Sequence, residues 1–419
     1  MIKNICIIED DKYENLLPLV YMRPVYDLRC GILTLKEKIK NSFPSSKLFL
    51  HCRKYLEEKV KESNKKLLVN NLIGLDSCLF VNGRAILNSK TIKQISKKGD
   101  ALYFSGGTFV AAKLSNYNFE NIISKLDSVF NTSLFDGIVR TDCEATIINY
   151  PWDLISYNGE QILSDYEFLK THKKNIKGKV YKGVILLNEK NIFIGDGSTI
   201  KPGAVLDAEE GPIYIGKNVK VMHNSVIIGP CFVGDNSIIK IAAKIYENTS
   251  IGEFCKVGGE VECSIIHSYS NKQHDGFLGH SYISQWCNLG ADTNNSDLKN
   301  NYGSIKVIIN GKQIDSGKMF VGLTMGDHSK TSINTMFNTG TVCGVASNVF
   351  GSGFPPKYIP SFAWGGADSM TTYNLINGIE VAKKVMARRK IEFTEADKNL
   401  LSKIFELTKN ERIESGIPD

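Results

Sequence analysis

Three of the seven histidines in this 419-residue chain, His267, His274 and His280, fall in one short stretch, at spacings of seven and six. A neutral imidazole accepts a proton near pH 7 and is also a common metal ligand. H-x5-H is a weak metal-binding spacing, so a zinc site, proton transfer and a plain surface histidine all stay open for this stretch. His328 follows Asp327 in TMGDHSK, where the pair either couples a carboxylate to an imidazole or closes an Asp-stabilised turn. Ten cysteines are scattered without a C-x-x-C pair, which favours buried free thiols over a disulfide framework or a metal site.

Composition narrows the partners. The chain is 42% apolar and 23% charged, and its length predicts at least two domains. No run approaches a membrane span, and the opening MIKNICIIEDDKYEN is too acidic for a signal peptide, so a cytoplasmic protein without membrane contact is expected. The formal charge of +7 suits anionic ligands such as phosphates or coenzyme A. Nucleic acid is not expected, because the basic clusters, Lys97-Lys98 and Arg388-Arg389-Lys390, are short and read as solvated faces.

The elements that position these residues show in the repeats. Every sixth residue from Ile215 reads Ile215, Val221, Ile227, Val233, Ile239, Ile245, Ile251 and Val257. Chance agreement is on the order of one in a million if roughly one residue in six is Ile or Val. Strands have period two and helices 3.6, so a strict six means a coil of three short strands and tight turns, with one branched side chain per hexad facing inward. The next position turns the corner and favours glycine, as at Gly195, Gly216, Gly234, Gly252, Gly258, Gly290 and Gly322. The phase opens at Ile194, Ile200 and Leu206, slips by three at EEGPIY, continues through Phe277, Ile283 and Leu289, and resumes late as Ile333, Thr339 and Val345. Asn294 to Lys318 breaks it and is expected to protrude as a functional loop.

Before the repeats, apolar runs (NICIIED, KLFLHC, SCLFVNG, ALYFSGG) alternate with helical stretches, which predicts a doubly wound α/β domain. After Pro360, MTTYNLINGIEVAKKVMARRK and TEADKNLLSKIFELTKNERI have helical periodicity and are expected to brace the open end. The expected division is an α/β domain over 1–175, a left-handed parallel β-helix over 176–365 and a helical segment over 366–419. Side-by-side association into a homotrimer is expected of such a solenoid.

This order of domains, with KQHDGFLG from Lys272, CNLGADT from Cys287 and NNYG from Asn300, resembles the bifunctional N-acetylglucosamine-1-phosphate uridylyltransferase/glucosamine-1-phosphate acetyltransferase family. The segment LPLVYMRPVYDLRCGI, residues 17–32, is similar to the opening of its alternative, Bacteroidetes-type branch. The resemblance implies a nucleotidyltransferase-like first domain and acetyl transfer from acetyl-CoA to an amino-sugar phosphate on the β-helix. It implies His274 as general base, with Asn288, Gly290 and Ala291 contacting the acetyl donor and acceptor, and Phe277 standing where a Tyr is usual. An amine attacking a thioester loses a proton that an imidazole is suited to take, and the oxyanion needs fixed N–H donors. A zinc site shared between subunits, as in the gamma-class carbonic anhydrases, is the other histidine chemistry known on such an architecture.

For the first domain the resemblance implies a nucleotide triphosphate, a sugar 1-phosphate and Mg²⁺, with Arg23 and Arg29 on phosphate oxygens. Departures from the family stand beside this. No Gly-rich loop follows the first strand, where the chain reads Glu9, Asp10, Asp11 and Lys12, and Arg84 occupies the usual metal-holding aspartate's place. The metal ligands are therefore open, with Asp10 and Asp11 as candidates, and Gly106-Gly107-Thr108 either shapes a sugar pocket or is a plain turn. In the second domain, Ser296-Asp297-Leu298 replaces a further Asn. Two alternatives remain: a thymidylyl or guanylyl transferase with a purely structural β-helix, and a non-catalytic binding or scaffold protein.

Overall fold

A computed structural model describes residues 2–97, 99–123, 126, 129–131, 137–169 and 175–418, so Lys98 of the first basic cluster lies outside the described residues. The chain divides into two compact units. The first comprises Met1–Leu16, Met22–Leu28 and Leu33–Tyr150, and the second Leu17–Tyr21, Arg29–Ile32 and Pro151–Asp419.

The first unit is an α/β fold on a seven-stranded sheet. The strand Asn4–Ile8 lies between Lys47–Leu50 and Ser77–Asn82, parallel to both, with Leu68–Val69 outside the former. Beyond Ser77–Asn82 the sheet continues through Thr108–Ser115, antiparallel, then Ala101–Ser105 and Arg140–Asp142. Ile5, Cys6, Ile7 and Ile8 are all fully buried, which is why this run lacks polar alternation. Strand order reverses between Asn4–Ile8 and Ser77–Asn82. Ligands of open α/β sheets bind outside the carboxyl ends at such a switch point, here formed by Glu9–Lys12 and Gly83-Arg84.

The second unit is dominated by the β-helix, whose strands pair in parallel with the coil before and after, forming three long ladders. Every expected inward aliphatic from Ile194 to Val257 is buried, at most 1% exposed. A fully buried side chain of this size contributes about 1.5–3 kcal/mol.

The corner glycines have a different cause from the one expected. Gly195, Gly216, Gly234 and Gly252 do not have positive φ. The left-handed residue comes two positions later, at Gly197 (φ 75°), Asn218 (φ 54°), Asn236 (φ 61°) and Phe254 (φ 57°). Glycine is needed for close approach: a Cβ at Gly195 would lie 2.6 Å from the Gly216 carbonyl oxygen, and one at Gly234 2.7 Å from the carbonyl carbon of Gly252.

The late phase is also corrected. After Val257 the inward residues are Val261, Ile266, Lys272, Leu278, Ile283 and Leu289, so tightened turns interrupt the hexads between Val257 and Ile266 and again between Leu278 and Ile283. Phe277 is outward and half-buried, and Ile333 is 66% exposed at a turn. The inward column there is Met325, Thr331, Phe337, Cys343 and Val349, two residues out of the expected phase. The phase-breaking loop contains an antiparallel hairpin, Lys306–Ile309 with Lys312–Asp315, that buries Ile305, Val307 and Ile309.

The helices Leu375–Ala387, Glu395–Leu407 and Lys409–Glu414 follow the last coil. The second starts in a Thr394/Asp397 capping box. Phe405 meets Phe362 edge-on at 5.0 Å, the fully buried Arg412 donates to the Ser361 carbonyl, and Ile417 joins the β-helix core. No helix among the described residues is long and apolar enough to cross a membrane.

Ile239→Ala is expected to destabilise the β-helix by about 2–5 kcal/mol, since the stacked backbones cannot collapse onto the cavity. Denaturant unfolding of both proteins measures the difference.

Candidate functional site

The inward residue of the coil that carries His274 is a lysine. Lys272, 2% exposed, takes a position that aliphatics hold in the coils before. Its Nζ donates to the carbonyl oxygens of His274 at 2.7 Å and Asp275 at 3.3 Å. Burial lowers its pKa to about 8, with Asp275 and Asp292 opposing. The lysine therefore clamps from within the turn that presents the exposed His274. Gly276 closes that turn at φ 112°, where a Cβ would lie 2.3 Å from the Thr293 carbonyl oxygen.

Stacking puts Asn288, Gly290 and Ala291 one coil on from this turn. Asn288 bridges Asn271 on one side and Lys330 on the other, and Asp292 N–H donates to the Asp275 carbonyl at 3.1 Å. Gly290 N–H is taken by the Thr331 hydroxyl at 2.9 Å. The corner thus brings His274 and the Asn288–Ala291 segment together. Phe277 is on the adjoining face, where a Cβ on Gly279 would meet both the Phe277 ring, at 2.5 Å, and Asp297 Oδ2, at 2.3 Å.

Beside this corner stand cations, among them Arg388 and Arg389, which were expected on a solvated face. Arg389 Nη2 donates to Asn271 Oδ1 at 2.7 Å. Lys256 pairs its backbone with Asn271, and its pKa is lowered by burial and then by Arg389, Lys240 and Arg388. Mutual repulsion among these cations marks a place where an anion is favoured. Arg389 lies 118 residues from Asn271 in sequence, so no local pattern links them.

The other histidines separate. His267 is buried, accepting at Nδ1 from Ser268 N–H at 2.8 Å. His328 stacks on Trp286, centroids 6.1 Å apart, at the end of a ladder through Tyr269 and Phe254. Asp327 accepts from the Gln285 backbone N–H of the preceding coil at 3.1 Å. His280 lies at the next corner beyond His274, its Nδ1 2.8 Å from Asp297 Oδ2. Burial works against its protonation, but Asp297 and Cys263 outweigh burial and push its pKa up to about 9.

At the switch point of the first unit, each acidic group that could serve a metal has a partner. Asp10 receives Arg84 Nε at 2.9 Å and Nη2 at 2.5 Å, and Asn82 Nδ2 at 2.9 Å. Glu9 receives Arg53 Nε and Nη2, both at 3.1 Å, and Val25 N–H at 2.9 Å. Asp11 pairs with Lys12 at the surface, 3.0 Å apart. A magnesium ion held by Glu9 or Asp10 does not fit these partners. Arg23 stays with this unit, its carbonyl accepting from Arg53 Nη2 at 2.9 Å. Arg29 falls in the second unit, where it grips Glu253 at 2.8 and 3.0 Å and lies over the Phe232 ring. The two arginines expected together on phosphate are thus in different units, and the half-buried Glu253 carboxylate engages one of them.

A switch-point α/β sheet followed by a hexapeptide β-helix with a histidine-bearing corner defines a two-unit protein that joins an α/β nucleotide-binding type of sheet to a parallel β-helix. Residues 5–174 match the model of the family described as sugar nucleotidyl transferase. Over part of its length the chain is similar to bifunctional nucleotidylyltransferase/acetyltransferases. It is 30% identical over 197 residues to the bifunctional protein GlmU of Methanococcus aeolicus, covering 47% of this chain and 41% of that protein. It is also 30% identical over 117 residues to a bifunctional sugar-1-phosphate nucleotidylyltransferase/acetyltransferase of Sulfurisphaera tokodaii, covering 28% of each. The chain thus spans less than half the length of these relatives. Among solved structures, UDP-N-acetylglucosamine acyltransferase of Francisella novicida is 16% identical at a TM-score of 0.28, over 57% of this chain and 85% of that one.

Two measurements test this geometry. Arg84→Ala leaves the Asp10 carboxylate buried without its guanidinium, with only the Asn82 amide donating to it among the described residues, and is expected to destabilise the first unit by about 3–5 kcal/mol in denaturant unfolding. Lys272 gives a pH signature. Because its folded pKa lies below that of an unfolded lysine, the unfolded chain holds more protons from roughly pH 8 to 10, and stability rises with pH across that window. Wild type is expected to gain about 1–2 kcal/mol on Lys272→Met between pH 7.5 and 9.5. An unchanged difference contradicts the assignment.

Proposed function

We propose that the chain is a cytoplasmic, homotrimeric transferase of amino-sugar phosphates. Its β-helix acetylates the amine from acetyl-CoA, and its first domain attaches a nucleotide to the sugar 1-phosphate, yielding a UDP-N-acetylglucosamine-type product. The functional division we infer is 1–175, 176–365 and 366–419. The observation that carries the acetyl half is the corner itself: an exposed His274 on a turn clamped by Lys272, stacked beneath Asn288, Gly290 and Ala291 and flanked by cations.

In this reading the substrate amine attacks the thioester carbonyl and the carbon–sulfur bond breaks. His274 takes the proton that the amine loses and returns it to the departing coenzyme A thiolate. Asn288 and the backbone at Gly290-Ala291 orient the acyl group, while Phe277 lines the neighbouring face. Lys240, Lys256, Arg388 and Arg389 attract the phosphates of coenzyme A or of the sugar.

The nucleotidyl half is supported by the family match over residues 5–174. Arg23 is the phosphate contact we assign at the switch point, and Arg29 the weaker candidate because Glu253 holds it. Magnesium, which nucleotidyl transfer ordinarily uses, has no fitting carboxylate in Glu9 or Asp10, and no step is assigned to it. The Arg84–Asp10 bridge favours a second reading of this unit alone, in which it binds a nucleotide sugar without transferring the nucleotide.

Incubating the protein with acetyl-CoA and glucosamine 1-phosphate is expected to release coenzyme A thiol. His274→Ala, at an exposed position, is expected to lower the rate at least about a hundredfold, with the fold intact by circular dichroism. Thiol release no faster than in His274→Ala overturns the acetyl half. Pyrophosphate formation from UTP and N-acetylglucosamine 1-phosphate decides between the two readings of the first unit.

A further inference from the structure

At the β-helix corner beyond the His274 turn, a second group of reactive side chains converges. Here the left-handed position is occupied in successive coils by Asn248, Cys263 and His280, at φ 56°, 43° and 45°. Coil stacking aligns what they carry. Cys263 N–H donates to the Glu247 carbonyl at 3.3 Å, and His280 N–H to the Glu262 carbonyl at 3.1 Å. A carboxylate oxygen of Glu247, one of Glu262 and the Cys263 sulfur all lie within 4.8 Å of one another. The His280 imidazole stands outside that tight group but close enough to Cys263 to interact with it electrostatically, and its Nδ1 meets the buried Asp297 carboxylate at 2.8 Å. Phe320 stacks on the imidazole, centroids 4.9 Å apart, fixing the ring plane.

The donor set is more telling than the charge. Two carboxylate oxygens, a thiolate and an imidazole nitrogen are the ligand types of zinc, whereas calcium and magnesium sites are built from oxygen alone. A carboxylate on the far nitrogen of a histidine is the recurring outer partner of metal-bound imidazoles, setting tautomer and orientation. Cys263 also stands apart from most cysteines of the chain, since eight of the ten are buried and it is half-buried. The cluster lies where strict hexads give way, with Val257, Val261 and Ile266 spaced by four and five. One ion there would tie three consecutive coils together.

We propose that Glu247, Glu262 and Cys263 bind a zinc-like divalent cation, with the neighbouring His280 imidazole, oriented by Asp297, turning in to complete the set. The site is separate from the His274 corner and independent of the transferase reading.

The test uses the full chain, stripped with a chelator and titrated with Co²⁺ and then Zn²⁺. Co²⁺ is expected to bind at one equivalent per chain, giving a near-ultraviolet thiolate-to-cobalt charge-transfer band and four-coordinate visible bands that Zn²⁺ abolishes. Cys263→Ser is expected to lose the charge-transfer band, while Cys231→Ser, at a buried position elsewhere, retains it. Asp297→Asn is expected to weaken Zn²⁺ binding about 10–100-fold. Zn²⁺ should also slow alkylation of Cys263 in the unmutated protein, followed by peptide mapping, a readout that needs no variant to fold. Cobalt bands that persist in Cys263→Ser overturn the proposal, as does alkylation of Cys263 at equal rates with and without Zn²⁺.

Discussion

Each coil of the β-helix lends its backbone N–H groups to the carbonyls of a neighbouring coil, and this parallel stacking governs the placement of the side chains on those coils. A residue has its counterpart directly above it, so whatever the sequence puts at one turn position becomes part of a column. Inward columns tolerate branched aliphatics because their stiff side chains stack without losing much rotamer freedom. Corner columns need glycine where the next backbone comes within 2.6 to 2.7 Å of a would-be Cβ, as at Gly195 and Gly234. Columns at the left-handed position admit asparagine at little strain, and here also aromatic rings, which stack as Phe254, Tyr269 and Trp286 at centroid distances of 5.1 and 4.3 Å.

That same rule explains what could be read in the sequence. From Ile194 to Val257 the turns keep one length apart from a single outward loop, so spatial stacking and sequence period coincide, and the inward residues are legible one by one. Beyond Gly258-Gly259 some turns shorten, and stacking persists while the strict period fails. The inward position of Lys272 was hidden for a second reason. Hydrophobic patterning assumes that a lysine faces water, and only the three-dimensional turn shows two carbonyls waiting for its ammonium. Ile333 misled in the opposite sense, as an apolar residue in the expected phase but exposed at a turn.

The candidate site was legible to the extent that a motif spans it. His274 and Asn288 are 14 residues apart and stand in adjoining coils, so a short pattern records both. Arg389 comes from the turn after a helix far along the chain, and its contact with Asn271 leaves no local trace. Cys263, His280 and Asp297 are 17 residues apart in turn, about one tightened coil each. Their convergence follows from the stacking rule, but only once the turn lengths are known. Separately, none of the three carries a spacing that a metal motif would recognise.

The two units treat charge in opposite ways, and this bears on where the chemistry resides. In the first, Glu9 and Asp10 stand just beyond the central strand, where an open α/β sheet binds ligands, yet each is matched by an inward guanidinium, from Arg53 and Arg84. Buried ion pairs of this kind are held chiefly because losing either partner strands the other charge, so they resist being opened for a metal. In the β-helix the charges are sorted by column and left unbalanced. Lys240, Lys256, Arg388 and Arg389 crowd one side of the His274 corner, while at the next Glu247 and Glu262 converge on Cys263 and Asp297 holds the His280 imidazole. Unbalanced charge in a half-buried setting costs stability, and the structure retains it where an anion or a cation can bind and offset that cost. The β-helix, more than the sheet, is therefore the part of this protein arranged around its ligands.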